Sequence, residues 1–113
     1  MTRGDVYWAV FGRGEGSEQA GKRPAIIVSR DGINRYSPVV VVVPVSRRAG
    51  RKHLYPSQME LPAGAGGLPA DSVAQCEQIR AIAKSRLGEH LGRMPEKALS
   101  ELNDCLKVTL DLF

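Results

Sequence analysis

No stretch of this chain approaches the roughly 18 consecutive apolar residues that a membrane-spanning helix needs, so no such helix is expected. Cysteine occurs only at Cys76 and Cys105, without C-x-x-C spacing. That excludes a disulfide-knotted miniprotein and points to a reducing compartment, with both thiols packed on apolar faces. Histidine occurs only at His53 and His90, and neither has a second ligand residue at metal-binding spacing. With no H-E-x-x-H either, no metal and no cofactor is expected, and each histidine reads as a lone surface residue. A hydrolase nucleophile elbow, G-x-S-x-G, is missing too. Behind Met1–Asp5 there is no apolar signal-peptide core, and a cytoplasmic protein is the expectation.

What is present fits one small domain spanning residues 1–113. The 113 residues are 42% hydrophobic and 25% charged, which is ordinary for a globular protein. The net charge of +4 is unevenly spread. Residues 1–56 carry ten Lys/Arg against four Asp/Glu, whereas residues 57–113 carry six against eight. The first half is therefore the candidate surface for a polyanion, because Lys and Arg displace the counterions of phosphates.

Apolar patterning divides the chain into short strands and one helix. Asp5–Phe11 is aromatic and β-branched on both faces and reads as a buried strand. A glycine-rich loop, residues 12–22, leads to a second strand over 23–29, where Pro24 is tolerated at the strand start. Asp31-Gly32 and Ser37-Pro38 bracket a turn. Val39–Val45 is a β-branched run whose Pro44 predicts a bulge or sheet edge at its end. Residues 46–56 read as a basic loop, 58–61 as a short strand and 62–71 as a Pro/Gly/Ala loop. Ser72–Ala83 reads as a strand, although Val73, Cys76, Ile79 and Ile82 would also suit a helix, and His90–Met94 reads as another strand. After Pro95, Leu99, Leu102, Leu106 and Leu110 recur at helical spacing, widened by Ala98, Cys105 and Val108. The fold class is mainly β: a small antiparallel barrel or rolled sheet closed by a C-terminal helix.

One tempting motif fails. Gly16–Lys22 satisfies G-x-x-x-x-G-K, but Arg23-Pro24 and a β-branched strand follow, where a phosphate-binding loop needs Ser or Thr and a helix. A different constellation remains. If strands 23–29 and 39–45 pair antiparallel, Arg23 meets Ser46 on one rim, beside Arg47 and Arg48. Arginine's planar fork grips phosphate bidentately, so a phosphate site competes with the plain reading of strand-end residues.

Three blocks carry a family resemblance: Arg3-Gly4-Asp5-Val6-Tyr7-Trp8, Gly16-Ser17-Glu18-Gln19-Ala20-Gly21-Lys22-Arg23-Pro24 with the strand behind it, and Val41–Arg48. Asp71–Ile82, containing Glu77-Gln78-Ile79-Arg80, and Lys84–Leu87 add to it. Together they resemble the MazF/PemK family of toxin endoribonucleases, in order and over nearly the whole chain. The resemblance implies an SH3-like, CcdB/PemK-like barrel with a C-terminal helix, forming a homodimer. It implies metal-independent cleavage of single-stranded RNA, leaving a 2′,3′-cyclic phosphate and a 5′-hydroxyl. The family's key arginine matches Arg23, and its hydroxyl residue, usually threonine, is here Ser46. Ser17, Glu18, Gln19, Lys22, Arg47, Arg48, Gln78 and Arg80 are the expected RNA-binding residues.

Charge stabilisation by Arg23 fits the reaction. The general base stays open among Glu18, His53 and a strongly perturbed Arg23. The expected protein partner is an antitoxin whose acidic flexible tail occupies the basic rim formed by Arg13, Lys22, Arg23, Arg47, Arg48, Arg51 and Lys52. Two rival readings are a non-catalytic CcdB-like toxin that binds DNA gyrase, in which the Gly16–Pro24 block would be absent, and a plain nucleic-acid-binding barrel.

Overall fold

The structure is a computed structural model and describes residues 1–18, 20–50 and 53–112. Seven strands form one antiparallel sheet: β1 (Asp5–Val10), β2 (Lys22–Ile27), β3 (Val39–Arg47), β4 (Gln58–Leu61), β5 (Ser72–Gln75), β6 (Arg80–Ala83) and β7 (Leu87–Arg93). Their order is β4-β5-β3-β2-β1-β7, with β6 also on β3. The end strands β4 and β7 are not paired with each other, so the barrel is a curled sheet that stays open. Leu61 of β4 and Val6 of β1 nevertheless share one core with Met94 and the helix α2 (Glu96–Leu110), which is what curls the sheet. No helix among the described residues is long and apolar enough to cross a membrane.

β3 organises the sheet. Its first half pairs with β6 over Val39–Val42 and its last three residues pair with β5 over Val45–Arg47. Pro44 falls in the gap between those two partners, where a missing N–H is cheap. The expected bulge or edge is thus replaced by a change of partner, and the strand runs on through Ser46 and Arg47 instead of entering the basic loop. β2 and β3 are buried on both faces. Ile26, Val43 and Val45 pack into the core under α2, while Ala25, Ile27, Val40 and Val42 pack with Phe11 and Ile82 on the other side.

Two further expectations change. Residues Asp31–Tyr36 form a short helix, α1, rather than a simple turn. Asn34 is buried against Ser29, accepting from its hydroxyl and donating to its carbonyl at 2.8 Å, and this local pair holds the helical turn. The Ser72–Ala83 strand breaks in two around a 3₁₀ turn at Cys76–Gln78, which lets β5 pair with the end of β3 and β6 with its start. Gly67, at φ +78°, packs its backbone against β7, where a Cβ would run into the carbonyl of Leu91.

α2 starts after Pro95 and ends with Asp111 in the left-handed conformation. Leu102, Cys105 and Leu106 are buried as the spacing predicts, but Val108 and Leu110 are about half exposed, because no described residue covers the last turn. Cys76 and Cys105 are both free and sit in the main core. Burial pushes the Cys76 thiol well up from the ordinary cysteine range and raises that of Cys105, which fits packing roles.

Asp5 ties the N-terminus to the sheet. Its carboxylate accepts from the Thr2 amide at 2.7 Å and contacts His90 Nε2 at 3.2 Å, so His90 is paired rather than alone. Burial raises the Asp5 pKa, but the Thr2 amide, His90 and the Thr2 hydroxyl outweigh it and the carboxyl titrates below its usual 3.8. A depressed folded-state pKa means that this stabilisation is present above about pH 4 and is lost as pH falls through the folded value. Replacing Asp5→Ala is expected to cost about 1–3 kcal/mol near neutral pH. Urea unfolding from pH 7 to pH 3 checks this: the gap between wild type and variant narrows in acid, and a gap independent of pH would show that the carboxylate contributes nothing.

Candidate active site

Ala25 stands opposite Pro44, Ile26 opposite Val43 and Ile27 opposite Val42. Carried two residues further, that register sets Arg23 opposite Ser46, as the strand pattern predicts. Both residues line one cleft of about 170 Å³. Lys22, Pro24, Val45 and Arg47 line it from the same two strands, Trp8 from β1, and Pro69, Ala70 and Ser72 from the β5 side.

The polar groups of the cleft are prepared for an anion. Arg23 Nε donates to the Ala20 carbonyl at 3.0 Å, which fixes the guanidinium at the mouth of the glycine-rich loop. Its terminal nitrogens make no other hydrogen bond among the described residues. Ser46 is only 5% exposed, and its hydroxyl is buried without a hydrogen-bond partner. Lys22 Nζ lies 5.5 Å from the centre of the Trp8 ring. Among the described residues three cations thus line the cleft and no carboxylate does. Among the described residues no three His, Cys, Asp or Glu side chains are grouped to hold a metal.

The remaining expected residues separate into two sets. Ser17, Gln78 and Arg80 gather around the glycine-rich loop: Gln78 Nε2 donates to the Ser17 carbonyl at 3.0 Å, and the Arg80 guanidinium sits 5.5 Å from the Phe11 ring. The Phe11 amide donates to the Gly21 carbonyl and the Gly21 amide to the Gly12 carbonyl, closing the base of that loop. Glu18 is exposed on it and does not line the cleft. Arg48 is the residue the structure takes away. Its Nε pairs with Glu60 at 3.3 Å and it does not line the cleft. His53 is exposed and outside the cleft, and Gln19, Arg51 and Lys52 lie outside the described residues. Residue patterning missed Trp8 and the Pro69–Ser72 wall. An apolar strand on both faces predicts a fully buried Trp8, whereas it is only partly buried.

A family model described as "PemK-like, MazF-like toxin of type II toxin-antitoxin system" matches residues 2–110. The chain belongs to that family. It is 38% identical over 112 residues to Endoribonuclease MazF of Staphylococcus saprophyticus, covering 99% of this chain and 92% of the relative. Among solved structures, MazF of Deinococcus radiodurans superposes with a TM-score of 0.81 at 29% identity, over 98% of this chain and 96% of that one. MazF in a MazE–MazF crystal structure from the same organism gives 0.76 at 29% identity, over 100% and 97%. The antiparallel seven-stranded sheet with its C-terminal helix is therefore the MazF fold.

This MazF-family toxin makes an unequal use of its adjacent arginines. Arg47→Gln is expected to weaken binding of a single-stranded 2′-O-methyl RNA and to flatten the slope of log K against log salt by about 0.7. Arg48→Gln leaves that slope nearly unchanged, because Glu60 already neutralises Arg48. Salt titrations by fluorescence anisotropy check the pair. Equal slope changes for the two variants would contradict the division seen in the structure.

Proposed function

We propose that this MazF-family endoribonuclease toxin cuts single-stranded RNA without a metal ion, by attack of a ribose 2′-oxygen on the adjacent phosphorus. The observation that carries this reading is the cleft itself: among the described residues it has three cations, no carboxylate, and a buried Ser46 hydroxyl lacking a partner beside Arg23. In the reaction the 2′-hydroxyl loses its proton and forms a bond to phosphorus. The bond from phosphorus to the 5′-oxygen breaks, and that oxygen takes up a proton. The products are a 2′,3′-cyclic phosphate and a 5′-hydroxyl.

Arg23 acts as the electrostatic group. Its terminal N–H pairs bind the phosphoryl oxygens, where negative charge accumulates in the transition state. The Ala20 carbonyl holds its Nε, so the fork is oriented before substrate arrives. Ser46 supplies a hydroxyl donor to the same phosphoryl group, and the RNA satisfies a group that the free protein leaves unpaired. Lys22 and Arg47 hold neighbouring phosphates. Ser17, Glu18, Gln78 and Arg80 contact the strand along the glycine-rich loop.

Two assemblies go with this function. The apolar groove of about 530 Å³ lined by Ile33, Leu106, Leu110 and Leu112 fits a homodimer contact. An antitoxin with an acidic, flexible tail fits the cation-lined cleft, because a carboxylate-rich peptide and an RNA strand offer similar charge. The MazF of Deinococcus radiodurans crystallised as a MazE–MazF assembly, which supports a partner of this kind. The toxin acts in the cytoplasm, where its RNA and its partner are made.

Purified protein incubated with a mixed-sequence RNA is expected to cut it equally with and without EDTA, giving cyclic-phosphate ends. Arg23→Ala lowers the rate by about two to three orders of magnitude while the protein stays folded. Loss of cleavage in EDTA that a divalent ion restores would refute metal independence, and a folded Arg23→Ala variant at near wild-type rate would refute the site. The antitoxin tail and a 2′-O-methyl RNA should compete in a binding titration. A ternary complex with no mutual weakening would show that the cleft is not shared.

A further inference from the structure

The cleft holds more apolar surface than a phosphate requires. Alongside Lys22, Arg23, Ser46 and Arg47 it is lined by Trp8, Pro24, Val45, Pro69 and Ala70. An isolated anion is best bound by donors on all sides, so this apolar lining needs another explanation. A nucleotide provides one, because it joins a phosphate to a flat aromatic heterocycle. The sheet order supports the match. β2 and β3 form the middle of the cleft, Trp8 comes from β1 on one side of them, and Pro69–Ser72 comes from the β5 side.

We propose that Trp8 is the platform on which one base of the RNA stacks while Arg23 and Ser46 hold the adjoining phosphate. The proposal rests on the reading of this cleft as the RNA-cutting site and names the part of the substrate it grips besides phosphate. Trp8 stands opposite Pro24, one residue from Arg23 in the chain, so a base on the ring lies within one nucleotide of the charged group. The ring is partly buried, as is Tyr7 beside it, whereas Val6 and Ala9 are almost completely buried. Lys22 Nζ rests over it at 5.5 Å, on an exposed side chain. Because the Lys22 side chain is exposed, this contact is weak. An arriving base takes its place, and the freed amine turns to a phosphate oxygen. Stacking is tolerant of base identity, because every base presents a π face. Trp8 therefore sets affinity and the register of the strand, and the edge contacts that choose a sequence lie elsewhere.

Trp8 is the only tryptophan in the chain, so its fluorescence reports on the cleft without a label. Titration with a mixed-sequence 2′-O-methyl RNA, which binds but cannot be attacked, is expected to quench the emission. A backbone of equal length with abasic residues throughout binds more weakly and does not quench. In cleavage assays Trp8→Leu keeps an apolar side chain but has no π face. It is expected to raise KM about 5- to 100-fold, more than it lowers kcat, and Trp8→Phe restores most of that loss. Equal quenching by the abasic strand, or an unchanged KM in a folded Trp8→Leu protein that still cuts RNA, overturns the platform and leaves the cleavage reading standing. Base-dependent quenching by a wild-type protein that cuts no RNA supports the platform and overturns the cleavage reading instead.

Discussion

β2 and β3 meet in one antiparallel register, with Ala25 opposite Pro44 and Ile27 opposite Val42, and the relative position of Arg23 and Ser46 derives from it. Side chains alternate across a strand, so a slip of one residue would exchange the two faces and carry Ser46 away from Arg23. The register cannot slip cheaply, because both faces are buried. Ile26 and Val43 lie under α2, and Ala25, Ile27 and Val42 lie in the second core beside Phe11. The chain thus uses its best-packed hydrophobic layer to fix the relative position of an arginine and a serine at its end. β3 also couples the two sides of the cleft, because the segment that ends the pairing with β2 begins the pairing with β5.

The cleft is costly in the free protein. Among the described residues three cations share a small volume without a carboxylate, and the Ser46 hydroxyl is buried without a partner. Leaving such a group unpaired costs about 1–3 kcal/mol. A buried hydroxyl left unpaired beside clustered cations is a place that a bound anion completes. Arg48, one residue beyond Arg47, shows the contrast: it is matched by Glu60 and removed from the cleft.

Much of this was legible in the sequence, for identifiable reasons. β1, β2 and β4 carry strong strand composition. Leu99, Leu102 and Leu106 define one helix face, and the Arg23–Ser46 meeting follows from pairing two adjacent apolar strands. Most of the errors depend on a partner distant in sequence. Pro44 signals an edge, but β5 arrives to extend the strand. Ser72–Ala83 is continuously strand-like, yet it splits because its halves serve opposite ends of β3. α1 forms through a Ser29–Asn34 contact that no apolar period reveals. Trp8 looks like core by composition and faces a cleft only because the wall opposite comes from residues 69–72. Arg47 and Arg48 are indistinguishable as sequence until Glu60 claims one of them.

The central claim is that Arg23 and Ser46 act on the same phosphoryl group. A double-mutant cycle on kcat tests it most directly, with Arg23→Lys and Ser46→Ala singly and together, Arg23→Lys being chosen because it keeps a cation at the site. Residues that act on one transition state as a unit show strongly non-additive losses. The account predicts that the double variant loses much less than the product of the two single losses. Losses that multiply independently, in folded proteins with unchanged product ends, would contradict it.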